Sequence, residues 1–473
     1  MILPSVNGRG GGGQREGNVS RSMKMSIGTD SEIGRLRTVL VHRPGAELRR
    51  ITPRTRERLK FTGLPWLARA QREHDILTGL LRDRGVEVLY VTELLQDVLE
   101  YDRAADEAIG SVLAGAELGE ELGSAVRAYL ESLSPEDLAA ILISGLTREE
   151  LRTGRGVVYE LLDPHHFLIE PLPNLAFSHD SSVWIRDQAI VTSLREPRRR
   201  EADLLGVIYG HHPRFTGSAR SPYRAGPGFL SGGDVLLLAP GVVAVGVGVR
   251  TTPASVERLA RHLLGIGAAS AVLAVPMSDR GEAGYLDTGC TVVDTGTVVM
   301  APALAFTLTA LTITVEHGGL RVSRPRPFIE AAARAIGVDR LMVIDTGLDL
   351  PGGARGQWDD GANALVIGDR VAICDERNEQ TNARLATAGF EVMVIPWAEF
   401  GGDRGGPRCM CVPVFRDQVA DGQAAGGPDE GRRADRASVL VGAGGLPIPG
   451  PADPVSDPPR HPGQLTPIPL VPR

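Results

Sequence analysis

Short apolar runs rich in β-branched residues recur along most of this chain, and they limit its fold more than any other feature. They include Thr38-Val39-Leu40-Val41, Val86-Glu87-Val88-Leu89, Val242-Val243-Ala244-Val245, Ala271-Val272-Leu273-Ala274, Thr297-Val298-Val299-Met300, Leu341-Met342-Val343-Ile344, Arg370-Val371-Ala372-Ile373 and Val392-Met393-Val394-Ile395. Many follow a glycine turn. Helical patterns precede several of them, as at 252–264 and 328–336. Strand, helix and strand repeated at intervals define an α/β fold built from similar units. Residues 93–155 break the rhythm. They are rich in Leu, Ala and Glu, carry a Ser134-Pro135 helix start, and end near Thr147-Arg148-Glu149-Glu150, which has the pattern of a capping box. An all-helical insertion is expected there.

The ends differ in composition. Residues 1–27 are Gly-, Ser- and Arg-rich without periodicity, and 421–473 are dense in Pro, Gly, Asp and Arg. Both are expected to be disordered tails, apart from an apolar stretch around Val439 to Val441. That leaves 28–420 as the folded domain. No apolar run reaches the roughly 18 residues needed to span a bilayer, and the start lacks the pattern of a secretory signal. A cytoplasmic protein with no membrane partner is expected. With a net charge of −7 and no concentrated basic face, nucleic acid is not an expected partner either. Arg195, Arg198, Arg199 and Arg200 taken alone read as a solvated turn.

The four cysteines do not form a disulfide framework in a chain of 473 residues. Cys290 and Cys374 lie in apolar runs and read as buried and inert. Cys409-Met410-Cys411 is spaced too closely for the usual zinc pair, so no metal is expected. Cys409 itself stands between Gly405-Gly406 and Val412-Pro413. That setting reads as a thiol on an exposed loop, with Arg404 and Arg408 nearby to favour the thiolate.

A thiol that acts as a nucleophile needs several partners. Carboxylates can grip a cationic substrate, cations and an amide can hold an anionic end, and a proton donor and a base are required. Candidate pieces occur in Asn174-Leu175-Ala176-Phe177-Ser178-His179-Asp180, Gly232-Gly233-Asp234-Val235, Arg250-Thr251-Thr252 and Tyr285-Leu286-Asp287-Thr288. Taken singly, a loop aspartate is more often a turn residue than a ligand.

Their joint order resembles the arginine deiminase family of guanidino-group-modifying enzymes over roughly residues 31–417. Further strings carry the resemblance: Ala70-Gln71-Arg72-Glu73-His74-Asp75, Leu146-Thr147-Arg148-Glu149-Glu150-Leu151, Gln357-Trp358-Asp359-Asp360-Gly361 and Arg377-Asn378. The resemblance implies a five-unit, pseudo-symmetric α/β propeller with an inserted helical subdomain, no cofactor, and a homo-oligomer. It implies that Cys409 is the nucleophile and that Asp180 and Asp287 are the guanidinium-gripping carboxylates. It implies that Asn174, Arg199, Arg250 and Arg404 hold the amino-acid end of L-arginine or a related guanidino acid.

Two positions depart from that pattern. Tyr285 stands where the family carries its proton-shuttling histidine, and Ser231 where it carries the glutamate that orients it. Thr62-Gly63 also departs, after Phe61. Three readings stay open: a hydrolase with a rearranged or impaired relay, a binding protein without turnover, or changed chemistry such as amidino transfer. His179 could substitute for the missing base, but alternation next to Asp180 points it away from the ligand, and its other reading is a structural histidine. His165, His166, His211, His212 and His317 read as structural or solvated.

Overall fold

The computed structural model describes residues 27–59, 61, 63–152, 154–216, 222–277, 285–347, 361–399 and 405–419, and the backbone of 440–441. Five of its sheets share one plan: an antiparallel pair of strands, then a helix, then a strand parallel to the second strand of the pair. Val235–Ala239 pairs with Val242–Val247, helix Pro253–Gly265 follows, and Ala271–Pro276 lies parallel to the hairpin. Cys290–Asp294, Thr297–Met300, helix Phe328–Ile336 and Met342–Asp345 repeat it. So do Leu365–Gly368, Val371–Asp375, helix Glu379–Thr387 and Glu391–Ile395. Ser182–Ile185, Gln188–Val191, helix Arg199–His211 and Tyr223–Arg224 form a fourth. The fifth joins the two ends of the fold. Val412–Arg416 is antiparallel to Leu36–Val41, which is parallel to Glu87–Tyr90 across helix Leu67–Asp83.

Local chemistry accounts for this repetition. The strands are near-continuous apolar runs because both faces are covered; Val242–Val247 is buried along almost its whole length. Gly241 and Gly296 close two of the hairpins at positive φ, where a side chain would be strained. Thr252 caps helix Pro253–Gly265 by accepting the Ser255 N–H, and Pro253 takes the first helical position. Val256, Leu259, Ala260 and Leu263 then form its buried stripe. Each leucine buried there contributes about 1.5–3 kcal/mol.

Every run singled out above falls on a strand, with ends displaced by a residue or so. The fold class is mixed α/β. Helices Val91–Leu99, Asp102–Leu113, Gly119–Glu131 and Pro135–Ser144 occupy the expected insertion and share one apolar core with helix Arg199–His211. Ser134 caps the last of them, accepting the Asp137 N–H.

The all-helical expectation for 93–155 needs a correction, because Leu146–Thr147 is a strand paired with Phe167–Ile169. Glu150 takes both the N–H and the hydroxyl of Thr147, at 2.8 and 2.9 Å. The box therefore closes a turn, and no helix starts from it. His211 ends helix Arg199–His211 and lies 2.8 Å from Glu107. Residues 1–26 of the expected first tail, and the second tail apart from 440–441, lie outside the described residues. So do Thr62, Arg404 and Gln357-Trp358-Asp359-Asp360. Leu440–Val441 pairs in parallel with 393–394. Among the described residues no helix is long and apolar enough to cross a membrane.

Candidate active site

Cys409 is buried, at 4% exposure, contrary to the exposed loop expected from its glycine and proline neighbours. The glycines serve close approach. At Gly405, with φ of 125°, a Cβ would lie 2.9 Å from the Phe177 ring, and the carbonyl accepts the Trp397 indole N–H at 2.5 Å. At Gly406 a Cβ would lie 2.5–2.9 Å from Asn363. The loop is pressed into the protein from both sides.

The sulfur faces polar groups within that packing. Cys409 Sγ lies 3.4 Å from Asp287 Oδ2, and the Asn363 side-chain amide donates to Sγ at 3.1 Å. Arg408 grips the same carboxylate oxygen. Its Nη1 donates to Asp287 Oδ2 at 2.8 Å and its Nη2 to Glu32 Oε1 at 2.8 Å, so it bridges two buried carboxylates. Burial pushes the Glu32 carboxyl up, but the Arg408 charge and hydrogen bonds outweigh it and bring the pKa to about 2. Arg408 thus fixes Asp287 directly beside the thiol.

The second carboxylate belongs to the same network. The backbone N–H of His179 donates to the Cys409 carbonyl at 3.0 Å, which ties the Asp180 segment to the thiol loop. Asp180 Oδ2 accepts from Arg198 Nη1 at 2.7 Å, and Oδ1 accepts from the Ser231 hydroxyl at 3.2 Å. Burial pushes the Asp180 carboxyl up, but Arg198 overrides it and leaves the pKa below the ordinary value. Arg198 also donates to the Tyr285 hydroxyl at 3.2 Å, while Arg250 lies 4.0 Å over the Tyr285 ring. Burial, then Asp180, push the Tyr285 hydroxyl well above its ordinary range. It stays neutral near pH 7, a hydrogen-bond donor that cannot serve as a base. Gly233 makes room for the ring: a Cβ there would lie 2.9 Å from it.

Not every expected residue reaches this site. The Arg199 guanidinium pairs with Glu196 at 2.9 Å and Asp203 at 3.0 Å. Arg198 is the residue that reaches Asp180, and Glu201 clasps it from below at 2.8 Å. Arg198 precedes the helix and Arg199 is its first residue, so their side chains diverge. The solvated-turn reading fails for Arg200 as well, which is buried and donates to the Leu142 carbonyl. The Asn174 side chain donates to the Leu59 carbonyl, and its own carbonyl accepts from Arg198.

His179 is buried. Its Nδ1 lies 3.0 Å from the Cys411 carbonyl, and burial, then Arg408, lower its pKa to about 3. It is a structural histidine bound to the backbone of the thiol loop. Among the described residues no group of three or more His, Cys, Asp or Glu is arranged to hold a metal ion.

Asn363 and Asp234 were not anticipated in these roles. Asn363 follows Gly361 by two residues and reads as a turn residue. Asp234 lies in a quoted string but points away from the thiol. Its Oδ2 accepts from Thr251 at 2.5 Å and its Oδ1 from the Leu286 N–H at 3.1 Å, which anchors the segment presenting Tyr285 and Asp287. Burial, opposed by those hydrogen bonds, raises its pKa to about 6.

A raised carboxyl pKa contributes stability that is complete below the unfolded value near 4 and is lost as pH rises through about 6. Asp234→Asn keeps the shape and removes the charge. Its stability relative to the parent protein is therefore expected to rise by about 1–3 kcal/mol between pH 4 and 7. Denaturant melts of both proteins across that range check this. A difference that is constant with pH contradicts it.

A buried thiol, two carboxylates and flanking guanidinium groups on an α/β framework define a thiol site suited to a planar cation. The Arginine deiminase family model matches residues 57–416. An arginine deiminase of Rhodococcus erythropolis is 46% identical over 406 residues, covering 85% of this chain and all of its own length. One of Mycobacterium tuberculosis is 49% identical over 403 residues, covering 84% of this chain and all of its own. The chain belongs to the arginine deiminase family. Among solved structures, DDAH of Pseudomonas aeruginosa complexed with citrulline aligns with a TM-score of 0.48 at 14% identity, covering 80% of this chain and all of its own.

Proposed function

We propose that this protein binds L-arginine, or a closely related guanidino acid, and attacks its guanidinium carbon with Cys409. Asp180 and Asp287 grip the guanidinium nitrogens. Arg250, Arg404 and Asn174 are the residues assigned to the amino-acid end, while Arg199 pairs instead with Glu196 and Asp203, and Arg198 braces Asp180. The carrying observation is that Cys409 Sγ lies 3.4 Å from Asp287, while the Cys409 carbonyl accepts the His179 N–H and so ties the thiol loop to the Asp180 segment. The names of the close relatives support the same substrate class.

The chemistry follows from the groups at hand. The thiol loses its proton and Sγ bonds to the guanidinium carbon. A terminal C–N bond then breaks as its nitrogen gains a proton, and ammonia leaves. Water adds to the carbon, the C–S bond breaks, and citrulline and the thiol are released.

Tyr285 can donate a hydrogen bond to the departing amine. Activating the water needs a base, and neither neutral Tyr285 nor Ser231 is one near pH 7. Hydrolysis is therefore slow relative to attack, and the covalent adduct accumulates. The same observation favours a second reading, in which arginine is held without turnover or its amidino group passes to another acceptor.

The wider reading includes closure of the five sheets into a propeller bearing the helical insertion, and a cytoplasmic homo-oligomer. Contacts between strands of neighbouring sheets, such as Val412–Arg416 with Ser182–Ile185, support the propeller.

Mass spectrometry after incubation with arginine tests the function. An adduct on Cys409 with slow citrulline release supports the first reading. Arginine bound without modification supports the second, and no binding sinks both.

A further inference from the structure

We propose that Asn363 is a catalytic residue that stabilises the Cys409 thiolate through its side-chain amide. The inference rests on the reading of Cys409 as nucleophile given above.

The two ends of an asparagine amide are told apart by their partners. The Gly406 N–H can only donate, and it meets Asn363 Oδ1 at 3.1 Å. The other end is therefore Nδ2, and its hydrogen points at Cys409 Sγ, 3.1 Å away. Asn363 is buried and packed against Gly406, so the amide cannot turn freely. One side chain both shapes the backbone before the nucleophile and presents a donor to its sulfur.

The need for such a donor follows from the other neighbour. Asp287 Oδ2 sits 3.4 Å from Sγ. A protonated thiol can donate to that carboxylate, but a thiolate is repelled by it. Arg408 neutralises part of the Asp287 charge while its guanidinium is shared with Glu32. The Asn363 N–H acts on the sulfur directly, and charge-assisted hydrogen bonds of this kind are stronger than neutral ones.

Alkylation of the arginine-free, full-length protein by iodoacetamide tests this without requiring turnover. The thiolate displaces iodide, a C–S bond forms, and the thiol proton passes to buffer. Cys290, Cys374 and Cys411 are buried, with pKa values pushed up to about 12, so they compete little, and peptide masses identify the site. Asn363→Asp keeps the size and the acceptor for Gly406 but places an acceptor against the sulfur. It is expected to slow Cys409 alkylation at pH 7 about tenfold or more and move the rate profile to higher pH. Asn363→Ala gives the same direction where the Asp variant fails to fold.

An unchanged alkylation profile with a lowered melting temperature assigns Asn363 a structural role alone and overturns the proposal. Failure of the arginine reading looks different: the parent protein neither binds nor modifies arginine, while the alkylation shift persists.

Discussion

Cys409→Ala is expected to reduce citrulline formation from arginine to background, a loss on the order of 10²–10⁴ relative to a parent rate already slowed by the missing base. No neighbouring group can substitute for the sulfur. Cys411, two residues on, is buried, with its thiol pushed up to about 12 by burial. The acidic grip survives the change, because Asp287 is held by Arg408 and Asp180 by Arg198 and Ser231. Arginine affinity should therefore change far less than turnover, and the loss of one sulfur should cost about 1 kcal/mol of stability. Titration calorimetry with arginine and a citrulline assay on the same preparation measure both. Residual turnover above about a hundredth of the parent rate would remove the sulfur from the reaction.

Tyr285→His combined with Ser231→Glu is expected to raise citrulline release by about 10²–10⁴-fold, the usual contribution of general acid–base catalysis. The pair must be changed together. Ser231 is buried and bonded to Asp180 Oδ1, so a lone glutamate there sets a second carboxylate against Asp180, whose counter-charge Arg198 is already shared with Glu201. A lone histidine at 285 meets the Arg198 and Arg250 charges, and Asp180, the carboxylate beside it, is already paired with Arg198. Each single change should therefore be neutral or harmful, and the gain should appear only in the double variant. Steady-state rates for all four proteins decide this. A double variant no faster than the parent would mean that Tyr285 and Ser231 do not occupy the relay positions.

Much of the framework was legible because its signals are local. An apolar run of four to six residues after a glycine turn becomes a strand whatever surrounds it, and helix Phe328–Ile336 begins and ends where its pattern does. Ser134-Pro135 marks a helix start by its own chemistry. The site was harder to read because its signals depend on partners distant in sequence. Three consecutive arginines at 198–200 are indistinguishable by type, and the helix start decides which of them reaches Asp180. Gly405-Gly406 serves equally for an exposed turn and for a tight approach to Phe177 and Asn363, so the burial of Cys409 could not be read from its neighbours. Asn363 carried no signal of its own. Only the fold brings it to a sulfur 46 positions away.

The sheet that unites Leu36–Val41 with Val412–Arg416 also orders events during synthesis. Glu32 lies just before the first of these strands, and Arg408 and Cys409 just before the second. A ribosome therefore completes both acidic jaws long before the reactive atom emerges, and that atom gains its surroundings only when late-made chain docks on early-made chain.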